Sequence, residues 1–268
     1  MADRIIKCLA YDGRVSVTCI ETTKMVEDAR KIHNLSPVST AAFGRLLTIT
    51  ALMGCEMKSE KHKLSKGYVV NPQIDLPLNE FGKLDVSGAV GTNGFINVVK
   101  DIGLKDPYIG ISPIISGELA EDFANYFVNS EQTNSAVALG VLVDKNGVRR
   151  SGGYIITPMP DATEADIQIL EKSIFEAGAI SRMLENNLEL ETIATKITND
   201  KKIRVIERND NPRYECNCSK EHMSRAFMTI GREEIKKIID EDEKAEMVCH
   251  FCNKKYNFSK EDLEEMIK

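Results

Sequence analysis

The stretch Tyr214-Glu215-Cys216-Asn217-Cys218-Ser219-Lys220 is answered by Val248-Cys249-His250-Phe251-Cys252-Asn253, with 30 residues between Cys218 and Cys249. Two close cysteine pairs, C-x-C and C-x-x-C, separated by a folded insert are how a chain assembles a tetrahedral zinc site. Each pair sets two sulfurs within reach of one ion at about 2.3 Å, and the insert returns the chain so that the pairs converge. In an extended C-x-C both side chains share one face, whereas C-x-x-C turns back tightly. Cys216, Cys218, Cys249 and Cys252 are therefore the expected ligands of one Zn2+ per chain. Four thiolates leave no open position, which disfavours a catalytic zinc. His250 is an alternative donor. Arg213, Lys220, Lys254 and Lys255 either offset the charge of the site or sit on solvated surface.

The other three of the seven cysteines, Cys8, Cys19 and Cys55, stand singly in the first fifth of the chain and read as small buried apolar residues. An odd count argues against a disulfide framework. The quartet has two readings. One is a staple for a tail too small to hold a core alone, with binding of about 10–16 kcal/mol carrying its folding. The other is a redox switch, since thiolates are both the ligands and the oxidisable groups. A nucleic-acid ribbon is disfavoured by charge: residues 208–268 hold 12 Lys/Arg against 14 Asp/Glu, the wrong sign for phosphate.

Working toward the N-terminus, Arg4–Ala10 and Arg14–Glu21 alternate apolar and polar residues around Asp12-Gly13, which predicts a hairpin. Helices are expected over Thr22–His33 and Pro37–Lys58, the second capped by Ser36 and apolar over much of its surface. Short strands are expected at Gly67–Val70, Gly94–Lys100, Tyr108–Ser116, Ser135–Asp144 and Val148–Thr157, with a helix at Glu118–Asn129. Beyond Pro158 and Pro160, Ile167, Leu170, Ile174, Ala177, Ile180, Leu184 and Leu188 step by three or four, one apolar stripe of a helix from Thr163 to about Glu185. A strand at Lys201–Arg208, a helix at Arg232–Asp240 and another capped by Ser259 complete the reading. The fold class is α+β: a mixed α/β core over 1–160, a helical linker over 161–212 and a small zinc-binding domain over 213–268.

The 268 residues are 42% hydrophobic and 28% charged, with net charge −6, an ordinary globular balance without electrostatic pull on nucleic acid or anionic membrane. Met1–Tyr11 reads as too short for a secretory signal and no 18-residue apolar window is expected, so the expected address is the cytoplasm. Neither phosphate-loop, dinucleotide, zinc-protease nor nucleophile-elbow motifs occur, and the histidines His33, His62, His222 and His250 do not cluster in sequence. The expectation is a protein that is not an enzyme.

The C-x-C…C-x-x-C tail resembles that of the redox-regulated heat-shock chaperones of the 33 kDa chaperonin (HslO) family. So do Asn71-Pro72-Gln73-Ile74-Asp75-Leu76-Pro77-Leu78, Gly82–Val86, Ser116–Val143 with Ser130-Glu131-Gln132-Thr133, Gly152-Gly153-Tyr154 and Met159-Pro160. Between Leu64-Ser65 and Lys66-Gly67-Tyr68 that family has a further stretch, long enough for a strand pair, that this sequence lacks. The resemblance implies an ATP-independent holdase, inactive when reduced and zinc-bound. Oxidation is then expected to form Cys216–Cys218 and Cys249–Cys252 disulfides and release zinc. Implied partners are unfolding client proteins, downstream ATP-driven foldases and a second copy in a homodimer on activation; neither nucleic acid nor membrane is expected. The linker stripe, Ile167, Leu170, Ile174, Ile180 and Leu184, is the candidate client-binding or latch surface. The competing reading is a structural zinc-ribbon adaptor without redox switching.

Overall fold

Alternation in the first twenty residues produces strands β1 (Arg4–Ala10) and β2 (Val15–Glu21), paired antiparallel from Arg4↔Glu21 to Ala10↔Val15. Tyr11, Asp12 and Gly13, all at positive φ, turn the chain between them. Helices α1 (Thr23–His33) and α2 (Pro37–Glu56) follow; Ser36 Oγ accepts from Ser39 N at 3.3 Å and Pro37 occupies the first turn of α2. Then come β3 (Leu64–Ser65), α3 (Val86–Val90), β4 (Phe95–Lys100), β5 (Tyr108–Pro113), α4 (Leu119–Glu131), β6 (Ala136–Asp144) and β7 (Gly147–Pro158). Helices α5 (Glu164–Ala177), α6 (Ile180–Glu185) and α7 (Leu190–Thr198) lead to β8 (Arg204–Asn209) and β9 (Arg213–Tyr214). The computed structural model describes residues 3–57, 64–101, 103, 105–209 and 212–267.

The chain divides into two units. The larger holds Met1–Ser65 and Val69–Tyr214; the smaller holds Lys66–Tyr68 and Glu215–Lys268. In the larger, five antiparallel strands run in the order β6-β7-β2-β1-β8. Both faces are covered. Ile5, Ile20 and Ile155 pack with Met25, Phe43, Leu52 and Tyr126 on one side. Ile6, Cys8, Val17, Cys19, Tyr154 and Ile156 pack with Leu170, Ile180, Leu184 and Ile193 on the other. Two covered faces explain why most of β2 is buried rather than every second residue.

The structure departs from the sequence reading at instructive places. The expected strand Gly67–Val70 is absent; Tyr68 and Val69 fall in different units, and the short strand β3 pairs in parallel with β9 instead. Strand β5 ends at Pro113; Ile114 N still donates to Gly94 O at 3.0 Å, after which the N–H groups of Ile115 and Ser116 turn to Asp122 Oδ1 at 2.8 and 2.9 Å. The single helix expected over Thr163–Glu185 is broken into α5 and α6 at Gly178, whose φ of 76° is open to glycine at little cost. Helix α2 carries an 18-residue window apolar enough, at mean hydropathy 1.4, to cross a membrane, contrary to expectation; 67% of that window is buried inside the fold, as an all-round apolar core helix is. His62 and Lys58 lie outside the described residues.

The start of α5 is fastened to the first hairpin. Thr163 and Asp166 form a reciprocal capping box, and Arg14 donates to Asp166 twice, at 2.9 and 3.1 Å.

Candidate metal centre

The smaller unit is built from α8 (Lys220–Met228), α9 (Arg232–Glu241), β10 (Lys244–Val248), β11 (Lys255–Ser259) and α10 (Lys260–Met266). Strands β10 and β11 form a hairpin from Lys244↔Ser259 to Val248↔Lys255, so the C-x-x-C is its turn. That turn is closed by Cys249 N donating to Lys254 O at 3.0 Å and Asn253 N donating to Cys249 O at 2.8 Å, with Asn253 in the left-handed region. The C-x-C lies in the extended segment before α8, whose cap Ser219 accepts from His222 N. Phe227, Ile235, Ile239, Phe258 and Leu263 form a small core that includes Cys249, with the other three cysteines packed against it. Ser259 caps α10 reciprocally with Asp262, as its sequence indicates.

These elements bring the four sulfurs together. All four Sγ atoms lie within 4.8 Å of one another; Cys216 is 3.7 Å from Cys249 and Cys218 is 3.4 Å from Cys252. A tetrahedron with metal–sulfur bonds of about 2.3 Å has edges of about 3.8 Å, close to the 3.7 and 3.4 Å separations of Cys216–Cys249 and Cys218–Cys252, so the four sulfurs are grouped as a metal site requires. The ligand group contains the four sulfurs and not His250. Lys220 pairs with Asp262 and Lys255 with Glu246, while Lys254 lies over the Tyr256 ring.

Crowding sulfurs spreads their acidities. Burial raises Cys216 and pushes Cys252 up to about 12. At Cys218 burial also raises, but hydrogen bonds from Tyr256 and from the neighbouring sulfurs outweigh it and bring the thiol down to about 7. Tyr256 Oη lies 3.1 Å from Cys218 Sγ and 3.0 Å from its carbonyl, a contact that holds the phenol well above its ordinary value. Such a donor orients the thiolate for a cation. Nothing in the sequence singles out Tyr256.

The stripe residues lie in the larger unit. Leu170, Ile180 and Leu184 are buried and Ile167 and Ile174 partly buried against β1, β2 and β7. Cys8 and Cys19 are fully buried in the same cluster, where burial pushes the Cys8 thiol up to about 11 and holds Cys19 well above the ordinary thiol range. Such thiols are inert. The larger unit also contains an apolar cleft of about 960 Å³ lined by Phe43, Leu46, Met53, Val69, Phe95 and Val98, which no sequence motif announces.

Fold and site define a two-unit protein whose smaller unit is organised around a closed four-sulfur centre. The Hsp33 protein family model matches residues 3–66 and 61–259. The 33 kDa chaperonin of Clostridium tetani is 42% identical, covering 100% of this chain and 99% of that protein. That of Clostridium perfringens is 40% identical over 291 aligned positions, covering 100% and 91%. The crystal structure of the 33 kDa chaperonin (heat shock protein 33 homolog) of Thermotoga maritima superimposes with a TM-score of 0.90 at 33% identity, covering 100% of this chain and 98% of that one. The chain belongs to the Hsp33 family, a family of non-enzymatic chaperones. The aligned length exceeds the 268 residues of the chain, and the family match is split at residues 61–66, where the sequence reading puts its missing stretch.

Proposed function

We propose that this protein is an ATP-independent holdase whose affinity for unfolding proteins is governed by the oxidation state of Cys216, Cys218, Cys249 and Cys252. The observation that carries the reading is the convergence of all four sulfurs within 4.8 Å in a unit with only a small core of its own. Zinc bound there would supply the crosslink that such a unit needs to stay folded. The four sulfurs are also the groups that oxidation would consume. Each disulfide forms as two thiolates give up two electrons, for instance to a peroxide that is reduced to water. The pairs we assign are Cys216–Cys218 and Cys249–Cys252. Sulfurs consumed in this way no longer serve as ligands, and the 213–268 domain loosens.

The linker 161–212 is the second part of the switch. Its stripe, Ile167, Leu170, Ile174, Ile180 and Leu184, is the surface we assign to clients once it leaves the sheet, because a contiguous apolar patch binds other exposed chains. The active form is a homodimer in the cytoplasm, and clients pass afterwards to ATP-driven foldases. Zinc content and suppression of aggregation of a heat-denatured client, measured before and after peroxide with mild heat, test this. Release of one zinc per chain with onset of protection supports it. Equal protection by the reduced, metal-loaded protein overturns it in favour of a zinc-ribbon adaptor that does not respond to oxidant.

A further inference from the structure

Three residues far away in sequence belong to the smaller unit: Lys66, Gly67 and Tyr68. Their side chains meet the residues between the cysteines. The Tyr68 ring lies 5.6 Å from the His250 ring at a 32° tilt and meets Phe251 edge-on at 5.8 Å. Lys66 Nζ stands 5.0 Å above the centre of the Phe251 ring and donates to Asn217 Oδ1 at 2.8 Å. Asn217 is the residue inside the C-x-C; His250 and Phe251 are the two inside the C-x-x-C. Every residue between paired sulfurs is thus touched by Lys66 or Tyr68.

We infer that Lys66-Gly67-Tyr68 is a clamp on the four-cysteine centre, holding both cysteine loops in their converged arrangement and slowing loss of the ion. The inference rests on the four-thiolate reading proposed above and adds a positioning element to it. Lys66 bridges the two loops, bonding the first and lying over a ring of the second. Tyr68 covers the second loop on two rings. Cation–ring and ring–ring contacts of this kind each strengthen an association measurably. The clamp is also tied into the larger unit by its own chain. Leu64 and Ser65 before it pair with Arg213 and Tyr214, and Val69 after it lines the apolar cleft. Letting go at the centre therefore frees a segment that is held at both ends elsewhere.

Both clamp side chains are exposed, Tyr68 at 50%, so they can be removed without opening a core. In the full-length zinc-loaded protein, Tyr68→Ala and Lys66→Ala are expected to lose zinc to excess EDTA about 3- to 10-fold faster than the unsubstituted chain. Tyr68→Phe, which keeps the ring, is expected to match the unsubstituted rate. Amide hydrogen exchange over residues 66–71 of the unsubstituted chain is expected to quicken when zinc is withdrawn. Unchanged release in both alanine variants, or exchange indifferent to zinc, overturns the clamp while leaving the metal site standing. A chain that takes up no zinc overturns the metal site, and the clamp with it.

Discussion

Arg14 Nε and Nη2 grip the two carboxylate oxygens of Asp166 at 2.9 and 3.1 Å, joining the first hairpin to the opening turn of α5. The bidentate fork is the strong form of this contact, and the guanidinium holds Asp166 well below the usual carboxylate range. Asp166 also closes the Thr163 capping box, which Arg14→Ala leaves in place while it removes the fork. Arg14→Ala is expected to quicken amide exchange across Glu164–Ala177 while leaving β2 and β7 protected. If the stripe is the client surface, the same variant holds clients partially even when reduced. Exchange and light-scattering assays on one preparation check both outcomes.

Cys249→Ser replaces a soft ligand with a poor one at the most buried of the four positions. Metal per chain after passage through a chelator is expected to fall well below one, and the smaller unit to melt before the larger. Cys8→Ser, in the sheet core of the larger unit, should leave the metal content unchanged. Atomic emission on the two variants distinguishes them.

Tyr256→Phe deletes the hydroxyl that lies 3.1 Å from Cys218 Sγ but keeps the ring in the small core. Removing an outer-shell partner of a metal ligand costs about 10- to 100-fold in affinity, and a loss in that range is expected in competition with a zinc indicator. The fold, followed by circular dichroism, should not change.

Gly152 has no room for a methyl group. A Cβ there would lie 2.4 Å from the carbonyl oxygen of Ile20 and 2.6 Å from Leu184 Cδ1, so β2 or α6 must move. Gly152→Ala is expected to cost about 1–3 kcal/mol, the usual range for overpacking, read as a lowered urea midpoint.

Asp3 accepts from Lys24 N and Met25 N at the start of α1. Burial outweighs those amides and pushes its carboxyl up to about 6 from 3.8, with Glu21 adding repulsion. Between those values the folded chain binds a proton that the unfolded chain releases. Stability from this group therefore falls as pH rises through that window and is level above it, by up to about 3 kcal/mol. Asp3→Asn should remove that slope. Denaturant midpoints of both proteins below and above the window give the comparison.

Much of this was legible from the chain. The hairpin at Arg4–Glu21, α2 with its Ser36 cap and the Ser259 box rest on local rules of alternation and capping, and these hold wherever tertiary contacts agree with them. The cysteine spacing located the four-sulfur cluster because tetrahedral ligation constrains neighbours in sequence as well as in space. What escaped depends on distant partners. Tyr256 acquires its role only when the hairpin folds back on Cys218. Lys66 and Tyr68 meet a loop more than 180 residues away, and nothing in their own neighbourhood records it. Gly67–Val70 read as a strand because Tyr68, Val69 and Val70 favour that conformation, but its residues are drawn to two different units. The continuous stripe from Ile167 to Leu188 concealed the break at Gly178, since periodicity is indifferent to one permissive residue.

Helix α2 has a consequence for how the chain emerges from the ribosome. It is as greasy as a membrane anchor until covered, and part of its cover comes from β6 and β7, the latter ending at Pro158. At about 5–20 residues per second, synthesis leaves that segment waiting on the order of ten seconds for its partners. A member of a chaperone family is thus, during its own birth, a chain in need of shelter.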